Sequence, residues 1–329
     1  MSEYRSIFGE AVKSQSSNTG TIEGQIWYDS AAGSFKLEAA TTTGAWASGT
    51  ALPGVRWNTS GTGTVTAGLV FGGSTGPSTG AFLNTSFEYD GSSWTAGGTL
   101  PISSINMFGT GTQTATLGGG GYTSSSSNTT TALTYDGSSW SGITATPFAT
   151  KGAGAAGTST AGLIYGSDIS PSDNQSTKSW NGSAWGSEGN LSEPFQNGAS
   201  GGPTETTAFA AGSEVASPYV STRFETYDGS SWSTGPALNT AVQQNRGFGS
   251  STNAVSCGGY DKITGTEVFN GSSWSASGNL NTGRKQFAAS NNNASGITSG
   301  WVGGGADGDS SVEHFTPAGT RTTKTLTTT

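Results

Sequence analysis

The chain has one cysteine, Cys257, one histidine, His314, and two methionines among 329 residues. A single thiol excludes an internal disulfide and any metal site built from several cysteines. Cys257 reads instead as a small buried apolar residue. A lone histidine cannot supply the paired histidines of a copper-radical oxidase, and it leaves little room for a Ser-His-Asp arrangement. Charge is scarce as well: Asp, Glu, Lys and Arg make up 10% of the chain, where about a quarter is usual. The 13 basic residues are scattered and the net charge is −8, which argues against nucleic acid as a partner, because phosphate binding needs clustered Lys and Arg. No apolar run approaches the ~18 residues that a membrane span requires. No apolar stretch follows the charged start, Met1-Ser-Glu-Tyr-Arg-Ser-Ile-Phe. No signal peptide is therefore expected, and synthesis in a cytoplasm is.

Aliphatic residues are also few. Leu, Ile, Val and Phe number 47 of 329, below the rough 20% mark associated with disorder. Disorder normally combines that deficit with high net charge. Here the charge is low, and ten Trp, nine Tyr and fourteen Phe supply large surfaces to bury. Gly, Ser and Thr fill the remainder, as many short strands and tight turns demand.

Two phrases recur along the chain. The first is Tyr89-Asp90-Gly91-Ser92-Ser93-Trp94, repeated with small changes at Tyr135–Trp140, Trp180–Trp185, Tyr227–Trp232 and Phe269–Trp274, with Trp-to-Trp intervals of 46, 45, 47 and 42 residues. The second is a short apolar stretch ending in glycine, closing at Gly73, Gly120, Gly166, Gly212, Gly259 and Gly305, with spacings of 47, 46, 46, 47 and 46. Asp-Gly or Asn-Gly between β-formers signals a hairpin in which both residues tolerate positive φ, and the flanking aromatics can meet across it. The glycines suit strand ends where chains crowd. A period in the forties with four strand-like pieces is a propeller blade. The expected fold is all-β: a six-bladed propeller.

The ends complete the count. After the last glycine phrase, Val312-Glu313-His314-Phe315 reads as a third strand with no Trp phrase behind it. The segment Gly44-Ala45-Trp46-Ala47-Ser48-Gly49-Thr50-Ala51-Leu52-Pro53 matches the region around Trp94, 48 residues away. The strand at Trp46 is therefore expected to be the outer strand of the sixth blade, closing the ring without an exposed edge. Residues 44–319 then form the propeller. Residues 1–43 form an N-terminal arm and a β-hairpin, Gln25–Asp29 with Ser34–Glu38, which needs something to pack on. Residues 320–329 are a Thr-rich tail that either competes for the Trp46 place or adds a further strand.

The glycine pairs and the aromatic–turn–Trp phrase resemble kelch repeats over about residues 44–316, with a spacer between Tyr and Trp shorter than usual. A closer resemblance is to kelch-like virion proteins of marine bacteriophages, cyanophages especially. It rests on the Gly/Ser/Thr-rich blades and on the N-terminal segment Ser2–Gly9 followed by Glu23–Tyr28. That resemblance implies a non-enzymatic structural protein of the virion, a tail, fibre or capsid appendage present in several copies. Its propeller would serve adhesion or host recognition. The N-terminal arm would dock it to other virion proteins, with Tyr4, Ile7, Phe8, Val12, Trp27 and Tyr28 as the contact residues. The alternative is a carbohydrate-binding propeller lectin not fixed to a particle.

Enzyme chemistry finds little support. Asp90 and Trp94 are one residue closer than a sialidase Asp box requires. Arg56, Arg246 and Arg284 each stand near the start of a blade, where hydrogen bonding within the ring is the expected role. Asp307 and Asp309 lie in a Gly-rich loop, and Gly118–Gly121 are repeat glycines rather than a phosphate cradle. No cofactor or metal is expected. The periodic Trp residues are expected to pack inside their blades. The aromatics taken as outside the repeat, Trp57, Tyr122, Trp180 and Tyr219, are the candidates for contact with a host-surface glycan.

Overall fold

A computed structural model describes residues 13–17, 25–40, 43–76, 80–124, 127–170, 173–214, 219–291, 299–305, 309–319 and 321–326. The chain divides into two compact units, Trp46–Phe315 and the pair of segments Met1–Ala45 and Thr316–Thr329.

The larger unit is a six-bladed β-propeller. In the first blade Ser60–Thr64, Ala67–Phe71, Ser86–Tyr89 and Trp94–Ala96 follow one another as an antiparallel meander. Four further sheets repeat this order outward from the inner strands Phe108–Thr112, Gly154–Gly157, Ala199–Gly201 and Arg246–Ser250. The sixth sheet runs Ala288–Ala289, Gly300–Gly303, Val312–Thr316, and its fourth place is taken by Ala45–Gly49. Each inner strand neighbours the next, and Ala288–Ala289 returns to Ser60–Thr64, so the ring is continuous.

The hairpin between the third and fourth strands has a four-residue turn whose chemistry differs from the sequence expectation. The aromatics do pair across it: Tyr89 with Trp94, Tyr135 with Trp140, Trp180 with Trp185, Tyr227 with Trp232 and Phe269 with Trp274. Their ring centroids lie 4.8–5.3 Å apart. Only the glycine takes positive φ, +95° at Gly91. The Asp holds the turn through its side chain instead. Asp90 Oδ1 accepts from Ser92 N at 2.8 Å and from Ser93 N at 2.7 Å, while both serine hydroxyls donate to the same carboxylate. This is an Asx turn. Asn181 and Asn270 make the same backbone contacts through Oδ1, which explains why Asp and Asn interchange in the repeat. The glycines of the second phrase are crowded as expected: at Gly166, φ +67°, an added Cβ would lie 2.1 Å from the Phe195 carbonyl oxygen.

The core is divided six ways, one apolar cluster between each pair of neighbouring blades. Phe71, Met107, Tyr135 and Trp140 lie between the first and second blades. Trp46, Phe248, Phe287 and Phe315 lie between the fifth and sixth. Thin interfaces filled by aromatics need few aliphatics, which resolves the low aliphatic count. Carboxylates on third strands, buried at Glu225 and Glu313 and half-buried at Glu267, fasten the loop that arrives from the preceding blade. Glu225 accepts from Ser192 N at 2.9 Å, Glu267 from Asn239 N at 2.8 Å and Thr240 N at 2.9 Å, and Glu313 from Asn281 N at 2.7 Å and Thr282 N at 3.1 Å.

The smaller unit is a four-stranded sheet. Ile26–Asp29 and Ser34–Ala40 form the expected hairpin, with Asp29 Oδ1 accepting from Ala31 N and Ala32 N at 3.0 Å. Lys13–Gln15 pairs in parallel with Ile26–Asp29. The Thr-rich tail supplies the fourth strand: Arg321–Thr325 pairs antiparallel with Ser34–Ala40 and takes no place in a blade.

Candidate functional site

The loops that lead into the inner strands meet at the propeller axis, and there the chain repeats an unusual backbone conformation. Two residues before each inner strand, φ is positive: Asn58 +51°, Asn106 +55°, Gly152 +66°, Asn197 +48°, Gln244 +54° and Gln286 +55°. Such angles are uncommon outside glycine, with Asn the most tolerant of the others. The conformation turns each peptide toward its neighbour. Asn58 N donates to Gln286 O at 2.8 Å, Asn106 N to Asn58 O at 2.9 Å, Gly152 N to Asn106 O at 3.1 Å, and Asn197 N to Gly152 O at 2.8 Å. Gln286 N donates to Gln244 O at 3.5 Å. Between Asn197 and Gln244 the link is made by side chains: Glu214 accepts from Gln244 Nε2 at 2.8 Å and from Asn197 Nδ2 at 3.0 Å. A belt of peptide groups thus encircles the axis.

Within this belt lies a cavity of about 50 Å³, lined by Ser60, Asn106, Ser200, Arg246 and Asn291 among others. Asn291 reaches across the ring, its Nδ2 donating to Gly109 O at 2.5 Å and Ala155 O at 3.0 Å. It ties the sixth blade to the second and third at the cavity wall.

Arg246 sets this cavity apart. The sequence groups it with Arg56 and Arg284, but the structure separates them. Arg56 and Arg284 each stand two residues before a belt position, buried, with both terminal nitrogens of each guanidinium engaged. Arg56 donates to Gly72 O, Thr85 O and Thr85 Oγ1. Arg284 donates to Gly304 O, Ser311 O, Ser311 Oγ and Glu313 Oε1. For these two the expected hydrogen-bonding role holds. Arg223 is likewise bound, to Glu193 O, Pro194 O and Glu225. Arg246 stands two residues after its belt position, as the first residue of an inner strand, where the other blades place Ser60, Phe108, Gly154, Ala199 and Ala288. Its Nη1 donates to Asn245 O at 3.0 Å. Among the described residues no carboxylate forms an ion pair with it. Burial pushes its guanidinium down to about 10, opposed by the charge of Glu214.

The aromatics selected from the sequence do not converge. Trp180 is a core residue: it fills the Tyr place of the repeat phrase, stacks on Trp185 and donates from Nε1 to Ser159 O at 3.1 Å. This removes it from the ligand-contact set. Trp57 is half-buried and bridges to Ser74. Tyr122 is half-buried, pairs with Ile105 and approaches Phe82 at 6.3 Å. Tyr219 is 57% exposed, at φ +64°. The periodic Trp46, Trp94, Trp140 and Trp274 are buried, but between neighbouring blades rather than inside their own, and Trp185 and Trp232 are half-buried. Of the docking residues, Tyr4, Ile7, Phe8 and Val12 lie outside the described residues. Trp27 is buried, and Tyr28 is half-buried against Phe35 at 5.2 Å.

The remaining reactive groups are quiet. Burial pushes the Cys257 thiol far up, and desolvation pushes the His314 imidazole down, where it sits edge-on to Tyr89 at 5.6 Å. Asp309 accepts from Ser311 N and Oγ, each at 2.7 Å, and Asp307 lies outside the described residues. The sequence matches no protein-family model and no curated protein, so the reading of this site rests on its geometry.

Proposed function

We propose that this chain is a non-enzymatic recognition protein carried on a phage virion as a tail, fibre or capsid appendage. In this reading the propeller meets the host surface, and the smaller unit attaches to other virion proteins. The observation that supports it is the division of labour in the fold. A ring whose interior is filled with packing aromatics is accompanied by a separate sheet drawn from both chain termini. The low charge fits a surface working in salt water, where charge interactions are screened. Several copies per particle are expected, since virion positions are symmetric.

The test is immunogold electron microscopy of purified particles with antibody against the propeller. Label at a fixed place on the particle is the expected result and identifies head or tail. Protein found free in the lysate, with bare particles, overturns the virion reading. The second reading, a glycan-binding propeller not fixed to a particle, is favoured by the axial cavity, whose Arg246 forms no ion pair among the described residues. It predicts a tryptophan fluorescence change with host polysaccharide, and silence across a broad glycan panel counts against it.

A further inference from the structure

We propose that the axial cavity is a binding site for a carboxylate group, gripped by Arg246. A guanidinium carries five N–H donors in a rigid fork. Arg56, Arg223 and Arg284 spend both terminal nitrogens on carbonyls, hydroxyls and carboxylates of the ring, while Nε of Arg223 and of Arg284 stays without a partner. Arg246 spends one nitrogen, Nη1, on the carbonyl of its own neighbour, Asn245. Its Nε and Nη2 have no partner among the described residues, although Arg246 lines the cavity. These two nitrogens form the edge that donates two parallel hydrogen bonds to the oxygens of a carboxylate side-on.

The surroundings select for that group. Among the described residues Arg56 and Arg246 both lack a contacting carboxylate, but Arg56 is closed in by Gly72 O, Thr85 O and Thr85 Oγ1, whereas Arg246 lines the cavity. Glu214, the opposing charge, is already committed to Asn197 and Gln244. Ser60, Asn106 and Ser200 add polar atoms to the lining. The space open to the centre of a water-sized sphere, about 50 Å³, is several times the ~10–15 Å³ that one water needs on the same measure. A carboxylate fits a space of that order. The ligand is either a free small carboxylate or the acid group of a larger molecule, such as a uronic acid. This inference rests on the cavity alone and is independent of where the protein resides.

Thermal melting and calorimetry of the full chain separate the outcomes. The probes are sodium acetate, an oligouronate and a neutral oligoglucan, at constant ionic strength with chloride as balance. Saturable binding of acetate and oligouronate, without binding of the glucan, is the expected result. Binding of the oligouronate alone identifies the acid group of a glycan as the source; binding of acetate alone identifies a free carboxylate. Arg246→Gln should abolish binding, and Arg246→Lys, which keeps the charge but loses the fork, should weaken it about tenfold or more. Absence of binding to the wild-type protein up to roughly 10 mM, or undiminished binding in Arg246→Lys, overturns the proposal. The Lys variant keeps this test usable should Arg246→Gln fail to fold. A bare particle in the immunogold experiment would leave these results untouched.

Discussion

Glu313→Gln tests how the ring holds its loops. Glu313 is 2% exposed and Arg284 1%. Glu313 Oε1 accepts from Arg284 Nη2 at 2.8 Å and from Thr282 N at 3.1 Å, and Oε2 accepts from Asn281 N at 2.7 Å. An amide in this place keeps one acceptor and turns the other oxygen into a donor facing a donor. It also removes the charge opposite a buried guanidinium. Breaking a buried pair from one side costs about 3–5 kcal/mol. Asp309, 3.7 Å from Arg284 and partly exposed, remains to offset part of this, so the lower end, about 3 kcal/mol, is expected. At roughly 2–4 °C per kcal/mol for a unit of this size, the melting midpoint should fall by about 6–12 °C. Urea unfolding should show a lowered midpoint at unchanged slope. Adding Arg284→Met to Glu313→Gln removes the stranded charge, so the double variant should be more stable than the sum of the single losses by at least ~1 kcal/mol. A single-variant loss below about 1 kcal/mol, or strict additivity in the double, would refute the reasoning.

Trp46→Ala should cost about 3–5 kcal/mol, because Trp46 fills the space between the fifth and sixth blades against Phe248 and Phe315 and donates to Thr266 Oγ1 at 3.0 Å. The half-buried Trp185 should cost less when replaced, and equal losses in denaturant unfolding would contradict the assignment. The Asx turns predict an acid response. Hydrogen bonds from Ser139 and Ser138 hold Asp136 down to about 2, with Asp228 held at about 2 in the same way by Ser231 and Ser230. The folded value lies below the unfolded value of about 3.9, so the contribution is present above about pH 4 and lost as pH falls through about 2. Replacing Asp90, Asp136 and Asp228 with Asn, as Asn181 and Asn270 already stand, should keep the turns and flatten the pH dependence of the melting midpoint between 4 and 2; an unchanged slope would count against these carboxylates as its source.

The blade count was legible because one blade's needs repeat six times. An aromatic pair across a hairpin and glycines where strands crowd are demands of the fold itself, and they leave their spacing in the sequence. The turn geometry was less legible, since Asp-Gly suits both a two-residue turn with two positive φ angles and the Asx turn found from Asp90 to Ser93. Trp180 was misplaced among the surface aromatics because Trp replaced Tyr within the repeat phrase. The axial site was hidden for a different reason. Its belt is a backbone demand met by Asn, Gln or Gly, so no single letter marks it. Arg246 resembled Arg56 and Arg284 because a repeat read by eye tolerates a slip of four residues, and that slip separates a structural guanidinium from one on the axis. Asn at 58, 106 and 197 was the available clue, since Asn tolerates positive φ and each precedes an inner strand by two residues.

The sixth sheet joins Ala45–Gly49 to Val312–Thr316, and this has a consequence for the chain during its synthesis. Five blades draw all four strands from one continuous stretch and can form as they leave the ribosome. The sixth waits for strands about 260 residues apart in sequence. Relative to a four-residue turn, that closure costs about 4 kcal/mol more in chain entropy. At about 5–20 residues per second, the Trp46 strand stays unpartnered for roughly 15–50 s. Its sequence, Ala-Trp-Ala-Ser-Gly, is short and mostly small, which limits mispairing with other exposed edges in that interval. The hazard for this fold belongs to the nascent chain, and the finished ring carries no trace of it.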